Sequence, residues 1–404
     1  MRSLCPVGLA ESIGERLMCF QGYAKLGAMA LMLPSVSPQT GRLADVLPSC
    51  LSALRGESNR FAFPAVGSAI VCLVDGLGVE NLRSTAGHAR TLTRSLAKRD
   101  AIETVFPATT AAALTSLTTG QAPGRHGVLG YSVRDENHGG VRNLLSDWGS
   151  DFPEQTLPTV FERAVAAGFG ATVVAAGTYA ESGFSANVLR GAEFRAARSL
   201  DDRVDAALAA AAAGGIVYLY VAELDQAAHR YGWQSERWTR ELEALDAAWA
   251  ALQRGLAPST GLLLTADHGV IDVPAHSHVL IDERAPELAA ELELVAGDPR
   301  VLYLYGPWPD AAARAEAADA WQLALGPSVT VVTREGAIEA GLYGELEERF
   351  TERIGDLLVI ARAQVALYDT RFASAQSRLM IGQHGALSDT ERRVPLLRAG
   401  AFER

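Results

Sequence analysis

Residues 216–229 read Ile-Val-Tyr-Leu-Tyr-Val-Ala-Glu-Leu-Asp-Gln-Ala-Ala-His. Six apolar residues in a row, rich in β-branched and aromatic side chains, read as a short strand buried on both faces. The run then breaks on two acids, Glu223 and Asp225. The same pattern recurs on either side of it. Ala69-Ile-Val-Cys-Leu-Val ends at Asp75, Ala171-Thr-Val-Val-Ala-Ala ends at Gly177, and Gly261-Leu-Leu-Leu-Thr leads to Asp267 and His268. Helical patterns lie between the runs. Pro158 to Ala167 opens on a helix-start proline and stops at Gly168. Ala206 to Ala213 is halted by Gly214-Gly215. Trp238, Leu242, Leu245, Trp249 and Leu252 recur at helical spacing, as a core-facing stripe does. Strands alternating with helices predict an α/β sandwich: a mostly parallel central sheet with helices on both faces.

From about 283 to 372 the style changes. Strand-like Arg300–Tyr305 and Val329–Val332 alternate with acidic helical stretches, and Asp356-Leu-Leu-Val-Ile follows. This segment is expected to be a small inserted α/β cap within a catalytic domain over 36–404. Residues 1–35 mix Gly, Cys and Met without a period and read as a disordered extension.

The chain has 404 residues, 49% of them apolar, enough to bury a core without staples. Its net charge of −11 argues against a protein that holds duplex nucleic acid by neutralising phosphates. A small phosphorylated substrate remains compatible, because bound cations reverse the local field. Cys5, Cys19, Cys50 and Cys72 contain no C-x-x-C pair, so neither a disulfide framework nor a cysteine-built zinc site is expected, and a reducing cytoplasm fits. No apolar run reaches the roughly 18 residues of a membrane span, so no membrane partner is expected.

In an open parallel sheet, ligands bind beyond the carboxyl ends of the strands. Asp75, Asp225, Asp267 and His268 all stand there. Any one alone reads as a turn or capped loop. Together they gather charge at one sheet edge, which is costly unless neutralised, and a divalent metal is the usual answer. Asp225 and His229 are four apart and share a helix face, which suits one metal. His384 arrives later, between Gly382-Gln383 and Gly385. The remaining segment, Phe106-Pro-Ala-Thr-Thr-Ala-Ala-Ala-Leu-Thr-Ser-Leu-Thr-Thr-Gly120, reads as a helix beginning near Thr109 or Thr110. A first-turn hydroxyl is an N-cap on the plain reading. On the functional reading it is a nucleophile, its phosphate target drawn to free N–H groups at the positive helix end.

Asp75-Gly, the Phe106-Pro-x-x-Thr110 … Thr119-Gly120 … Pro123 … His126-Gly127 run, Tyr220 followed by Asp225-x-x-x-His229, Asp267-His268-Gly269 and His384-Gly385 occur in a fixed order. In that order the chain resembles the nucleotide pyrophosphatase/phosphodiesterase branch of the alkaline phosphatase superfamily over roughly residues 69 to 390. The resemblance implies an alkaline-phosphatase-like three-layer sandwich with two divalent metal ions, zinc or manganese. Asp225, His229 and His384 would hold one ion. Asp75, Asp267, His268 and the Thr110 oxygen would hold the other. It also implies that Thr110 is the nucleophile, through a phosphothreonine intermediate, with one metal at the attacking oxygen and the other at the leaving oxygen. Tyr220 matches a substrate-stacking aromatic, and Tyr131 stands where the family has a phosphate-holding asparagine. Ala111 replaces the aromatic that usually follows the nucleophile.

Size and motif spelling look most like actinobacterial AtaC-type enzymes. That implies a small nucleotide substrate, cyclic di-AMP, hydrolysed to pApA and AMP. The alternatives are another nucleotide pyrophosphatase, or a phosphomonoesterase or phosphomutase of the same superfamily. Monoester enzymes add Arg or Lys near the phosphate, and none flanks Thr110. Of the other histidines, His126 reads as structural, His276 and His278 as an extra pair on one strand face, and His88 and His138 as surface residues. Trp148 reads as a loop anchor.

Overall fold

The four apolar runs become adjacent strands of one sheet in a computed structural model that describes residues 41–97, 100–135, 138–148 and 155–403. The extension expected over 1–35, with Cys5 and Cys19, lies outside the described residues. In chain order the strands are β1 (Ser68–Val74), β2 (Ala101–Glu103), β3 (Ala171–Ala175), β4 (Glu193–Ala196), β5 (Gly215–Val221) and β6 (Thr260–Ala266). After them come β7 (Leu294–Asp298), β8 (Val301–Tyr305), β9 (Val329–Thr333) and β10 (Leu357–Ala361), then β11 (Arg393–Gly400).

The central sheet has seven strands in the order β2-β11-β6-β1-β5-β3-β4. β6, β1, β5, β3 and β4 run parallel to one another, and β11 is antiparallel to both β6 and β2. Every residue of β1 and β6 is buried, which is why these strands read as unbroken apolar runs and not as alternating ones.

Helices cover both faces of the sheet. Those that bear on the site are α1 (Thr110–Thr119), α2 (Val160–Ala166), α3 (Gly183–Val188), α4 (Leu200–Ala212), α5 (Glu223–Tyr231) and α6 (Glu236–Gly255). The predicted stripe of Trp238, Leu242, Leu245, Trp249 and Leu252 is the buried face of α6. The helix expected from Pro158 starts two residues later. Thr159 is its N-cap and accepts from the Glu162 N–H, while the Glu162 carboxylate accepts from the Thr159 N–H.

Between β6 and β11 the chain builds a second sheet, antiparallel throughout, in the order β7-β8-β10-β9. The helix Ala311–Leu325 packs on β9. Two short ladders tie the ends of this excursion together. His278–Leu280 pairs with Ala366–Tyr368, and Ile271–Asp272 pairs with Gly382–Gln383. The second ladder sets His384 down beside the carboxyl ends of β5 and β6. No helix among the described residues is long and apolar enough to cross a membrane.

Candidate two-metal centre

Asp75 follows the last residue of β1, Asp225 lies in the first turn of α5 just beyond β5, and Asp267 and His268 follow β6. The parallel register of the three strands brings these ends level. Gly76 allows the close approach. It sits at φ +74°, and a Cβ there would lie 2.9 Å from the Asp225 Cβ. Its N–H donates to Asp267 Oδ1 at 3.1 Å, across 191 positions of sequence.

The seven side chains read from the sequence converge. His229 Nε2 is 3.1 Å from Asp225 Oδ2, and His384 Nε2 is 4.0 Å from Asp225 Oδ1. His268 Nε2 lies 3.4 Å from both Asp75 Oδ1 and Asp267 Oδ2, and 3.2 Å from Thr110 Oγ1. The His268 and His384 rings stack at 3.5 Å between centroids. Two overlapping groups have ligand atoms all within 4.8 Å of one another: Asp225, His229 and His384, and Asp75, Asp225 and His268. Asp225 thus faces both halves of the cluster, where the sequence assigned it to one.

Three observations fit this cluster to cations. Asp75 Oδ1, Asp225 Oδ1 and Asp267 Oδ2 are buried carboxylate oxygens without a hydrogen-bond partner. All three imidazoles turn Nε2 inward while Nδ1 meets a backbone carbonyl: His229 that of Gly382 at 2.8 Å, His384 that of Ala108 at 2.9 Å, and His268 that of Gly269 at 3.3 Å. A carbonyl accepts only, so Nδ1 carries the proton and Nε2 keeps its lone pair for a metal. The donors are oxygen and imidazole nitrogen throughout, a set suited to divalent transition metals.

The electrostatics of the cluster's own side chains agree. Burial and then the Asp267 and Asp225 charges push Asp75 well above the usual carboxylate range. Burial and the Asp225 charge raise Asp267 to about 7. Burial also pushes Asp225 upward, but His229, His384 and His268 outweigh it and hold that carboxyl below its ordinary value. Burial lowers His268 and His384, each beside another imidazole.

A raised carboxyl favours the folded state while protonated, and that contribution is lost as pH rises through its folded value. For Asp267 the loss runs up through about 7. The lowered histidines act in the opposite sense only below their ordinary value of 6.5. The chelator-stripped protein is therefore expected to lose thermal stability between roughly pH 6.5 and 8. Added divalent cation should reverse the loss. Unfolding scans of both forms across that range check it, and a stripped protein that gains stability over the interval would contradict it.

Thr110 is the first residue of the ten-residue helix α1, and Gly120 ends that helix in the left-handed conformation. Thr109, its N-cap, has a buried hydroxyl with no partner. The first N–H groups of any helix lack intrahelical acceptors, and here they open beside the cation cluster.

A cavity of about 450 Å³ runs from Asp75, Thr110, Asp225, His229 and His384 along a mainly apolar wall that includes Leu114, Val173, Phe184, Leu189 and Phe194. Neither Lys nor Arg lines it among the described residues. Tyr131 is 43% exposed and lines the same cavity. Tyr220 also lines it, but its hydroxyl is engaged, donating to Asp75 Oδ2 at 2.5 Å, and its ring meets Tyr179 edge-on. Tyr220→Phe should therefore weaken metal binding by roughly 10-fold, the usual scale for a lost partner behind a ligand. A titration of the apo-protein that shows unchanged affinity would rule this role out.

His126 stands apart from the cluster. Its Nδ1 accepts from the Val128 N–H and its Nε2 donates to Ser116 Oγ, so it braces α1 as a buried neutral ring, its pKa pressed by burial to about 3. His276 and His278 do not share a strand face, because His276 lies in a 3-10 turn and only His278 enters the strand. His88 pairs with Glu243, and His138 with Asp135. The Trp148 indole donates to the Leu144 carbonyl and packs edge-on against Phe184.

Two features were not read from the sequence. The apolar wall is spread over α1, α3, β3 and β4, with no local motif. Asp298 belongs to an unremarkable Gly-Asp-Pro turn. It is buried, its Oδ2 has no partner, it lines the cavity, and burial raises its carboxyl to about 7.

A sheet edge bearing two overlapping candidate cation groups beside a helix-borne hydroxyl is an arrangement suited to hydrolysis of phosphate esters. Residues 69–387 match the type I phosphodiesterase/nucleotide pyrophosphatase family, and the chain belongs to that family of metal-dependent enzymes. No curated protein sequence matches the chain. Among solved structures, murine ectonucleotide pyrophosphatase/phosphodiesterase 5 is similar at 16% identity and a TM-score of 0.62, covering 82% of this chain and 88% of the murine one. An inactive threonine-to-alanine variant of that protein in complex with AMP gives a TM-score of 0.63. Phosphonoacetate hydrolase of Sinorhizobium meliloti, in complex with phosphonoacetate, is similar at 20% identity, covering 83% and 91% of the two chains with a TM-score of 0.62. At these identities the likeness speaks for the fold.

Proposed function

We propose that the protein is a two-metal phosphodiesterase that cleaves a nucleotide diester, with Thr110 as nucleophile and cyclic di-AMP as substrate. The observation that carries this reading is the placement of Thr110 Oγ1. It stands 3.2 Å from His268 Nε2, at the amino end of α1, on a cavity whose lining, among the described residues, includes neither lysine nor arginine. The murine protein of this fold is inactive in a threonine-to-alanine form that binds AMP, which is in keeping with a threonine nucleophile and a nucleotide ligand.

Asp225, His229 and His384 would hold one cation, and Asp75, Asp267, His268 and Thr110 the other. Zinc and manganese both suit these donors. Bound cations supply the Lewis acidity that makes a threonine hydroxyl nucleophilic and stabilises the oxygen that leaves. The amino end of α1 directs free N–H groups at the phosphate. Thr110 Oγ gives up its proton and bonds to phosphorus as the P–O bond to the leaving alcohol breaks and that oxygen takes up a proton; water then adds to phosphorus, releases the nucleotide and leaves Thr110 protonated again. The apolar wall excludes water and suits a flat nucleobase. For cyclic di-AMP the first cleavage gives pApA and the second gives AMP.

A monoester carries an additional negative charge, and the described lining offers no arginine or lysine to meet it. Diesters are therefore favoured. The rate on a bis-aryl phosphate should exceed that on the mono-aryl phosphate by at least about 10-fold. The reverse order would point to the monoesterase alternative. Absence of turnover of cyclic di-AMP and pApA with zinc or manganese supplied would remove the substrate assignment. The buried thiols Cys50 and Cys72 suit a reducing cytoplasm.

A further inference from the structure

The strands β7 and β8 of the inserted sheet join through Asp298-Pro299-Arg300-Val301, with Asp298 opposite Val301. Asp298 Oδ1 accepts from the N–H groups of Arg300 at 2.8 Å and Val301 at 3.1 Å, and so closes the turn. That accounts for one oxygen. Oδ2 is buried without a partner in a residue only 6% exposed, and the residue lines the cavity of the cation cluster. The Arg300 side chain does not pair with it, since its guanidinium is engaged by Glu391 and by the carbonyls of Ala363 and Val365.

The turn is also held close to the site. Gly385, the residue after His384, lies against it at φ +135°, and a Cβ there would come within 2.3 Å of Asp298 Oδ1. The Gly385 carbonyl accepts from the Ala108 N–H, two residues before Thr110. Asp298 therefore lines the cavity on the His384 side with its second carboxylate oxygen buried and unpartnered. The apolar wall of β3 and β4 lies along the rest of it.

We propose that Asp298 determines specificity for the leaving half of the substrate by accepting a hydrogen bond at Oδ2 from an O–H or N–H of that group. The inference rests on the diesterase reading above, with the retained nucleoside against the apolar wall and the leaving alcohol toward the insert. A buried acceptor left unpaired is costly, so a leaving group without a donor is discriminated against. A leaving nucleotide carries such donors on its ribose and its base, and p-nitrophenol carries none once it departs as phenolate.

Asp298→Asn tests this cleanly. Its side-chain oxygen still closes the turn, while the unpartnered Oδ2 is replaced by a donating NH2. Asp298→Ser can also close the turn and withdraws the second oxygen. For each protein kcat/KM is measured on pApA and on the p-nitrophenyl ester of AMP, with unfolding midpoints alongside. The ratio of the two specificity constants should fall by about 10- to 100-fold in both variants, the scale of one hydrogen bond to a charged group. A ratio within 3-fold of wild type, whether both rates drop or neither does, would overturn the inference and leave the diesterase reading standing. A wild-type protein that turns over neither ester would sink that reading first, and this inference with it.

Discussion

Thr110→Ala should abolish turnover, with kcat falling by about 10³-fold or more, the scale seen when a covalent nucleophile is removed. The side chain is half-buried at the start of α1, so its loss opens no core cavity. The helix keeps its N-cap residue, Thr109, and its C-terminal glycine. The fold should therefore persist, with an unfolding midpoint within a few degrees of wild type. The cation ligands from the three strand ends and from His384 also remain, so metal content should stay close to that of wild type. Thr110→Ser restores a hydroxyl at the same place and should recover activity to within about 10-fold. Rapid-quench labelling with a radioactive diester should show a nucleotidyl adduct on the wild type and the serine form, and none on the alanine form. An alanine variant with near-normal kcat would exclude the covalent step.

Asp225→Asn is expected to be almost as severe, for a different reason. Asp225 is the one carboxylate that belongs to both candidate ligand groups, with Oδ2 toward His229 and Oδ1 toward His384. Amidation removes a charge that helps bind both cations, where His229→Ala should disturb only one. Elemental analysis should show about two cations per chain in wild type, about one in His229→Ala and fewer than one in Asp225→Asn. Activity should fall by about 10³-fold in the asparagine form, through lost metal and not through lost fold. Two retained cations in Asp225→Asn would show that the clusters are independent and that the assignment of Asp225 is mistaken.

The reach of the sequence can be followed residue by residue. The parallel sheet was legible because β1 and β6 are buried on both faces, which leaves uninterrupted apolar runs as a local trace. Most of the candidate ligands were legible because they stand directly after such a run, or at helical spacing from one that does. Tyr220 was read as a stacking aromatic because its position matched one. Its hydroxyl bond to Asp75 crosses 145 positions and leaves no local sign. Asp298 was missed because a Gly-Asp-Pro turn is ordinary by itself. Only the path of the inserted sheet makes its second oxygen matter.

The sequence by itself determined the strand runs, the acids and histidines at their ends and the helix carrying Thr110, since all of these are written in periods and neighbours a few residues apart. Tertiary structure alone decided that Asp225 lies within reach of both candidate ligand groups, that Tyr220 ties down Asp75, and that Asp298 comes to line the cavity. Those relations depend on distances between atoms far apart along the chain. Such distances are set by strand register and by close approaches at Gly76 and Gly385, which no local pattern of residues encodes.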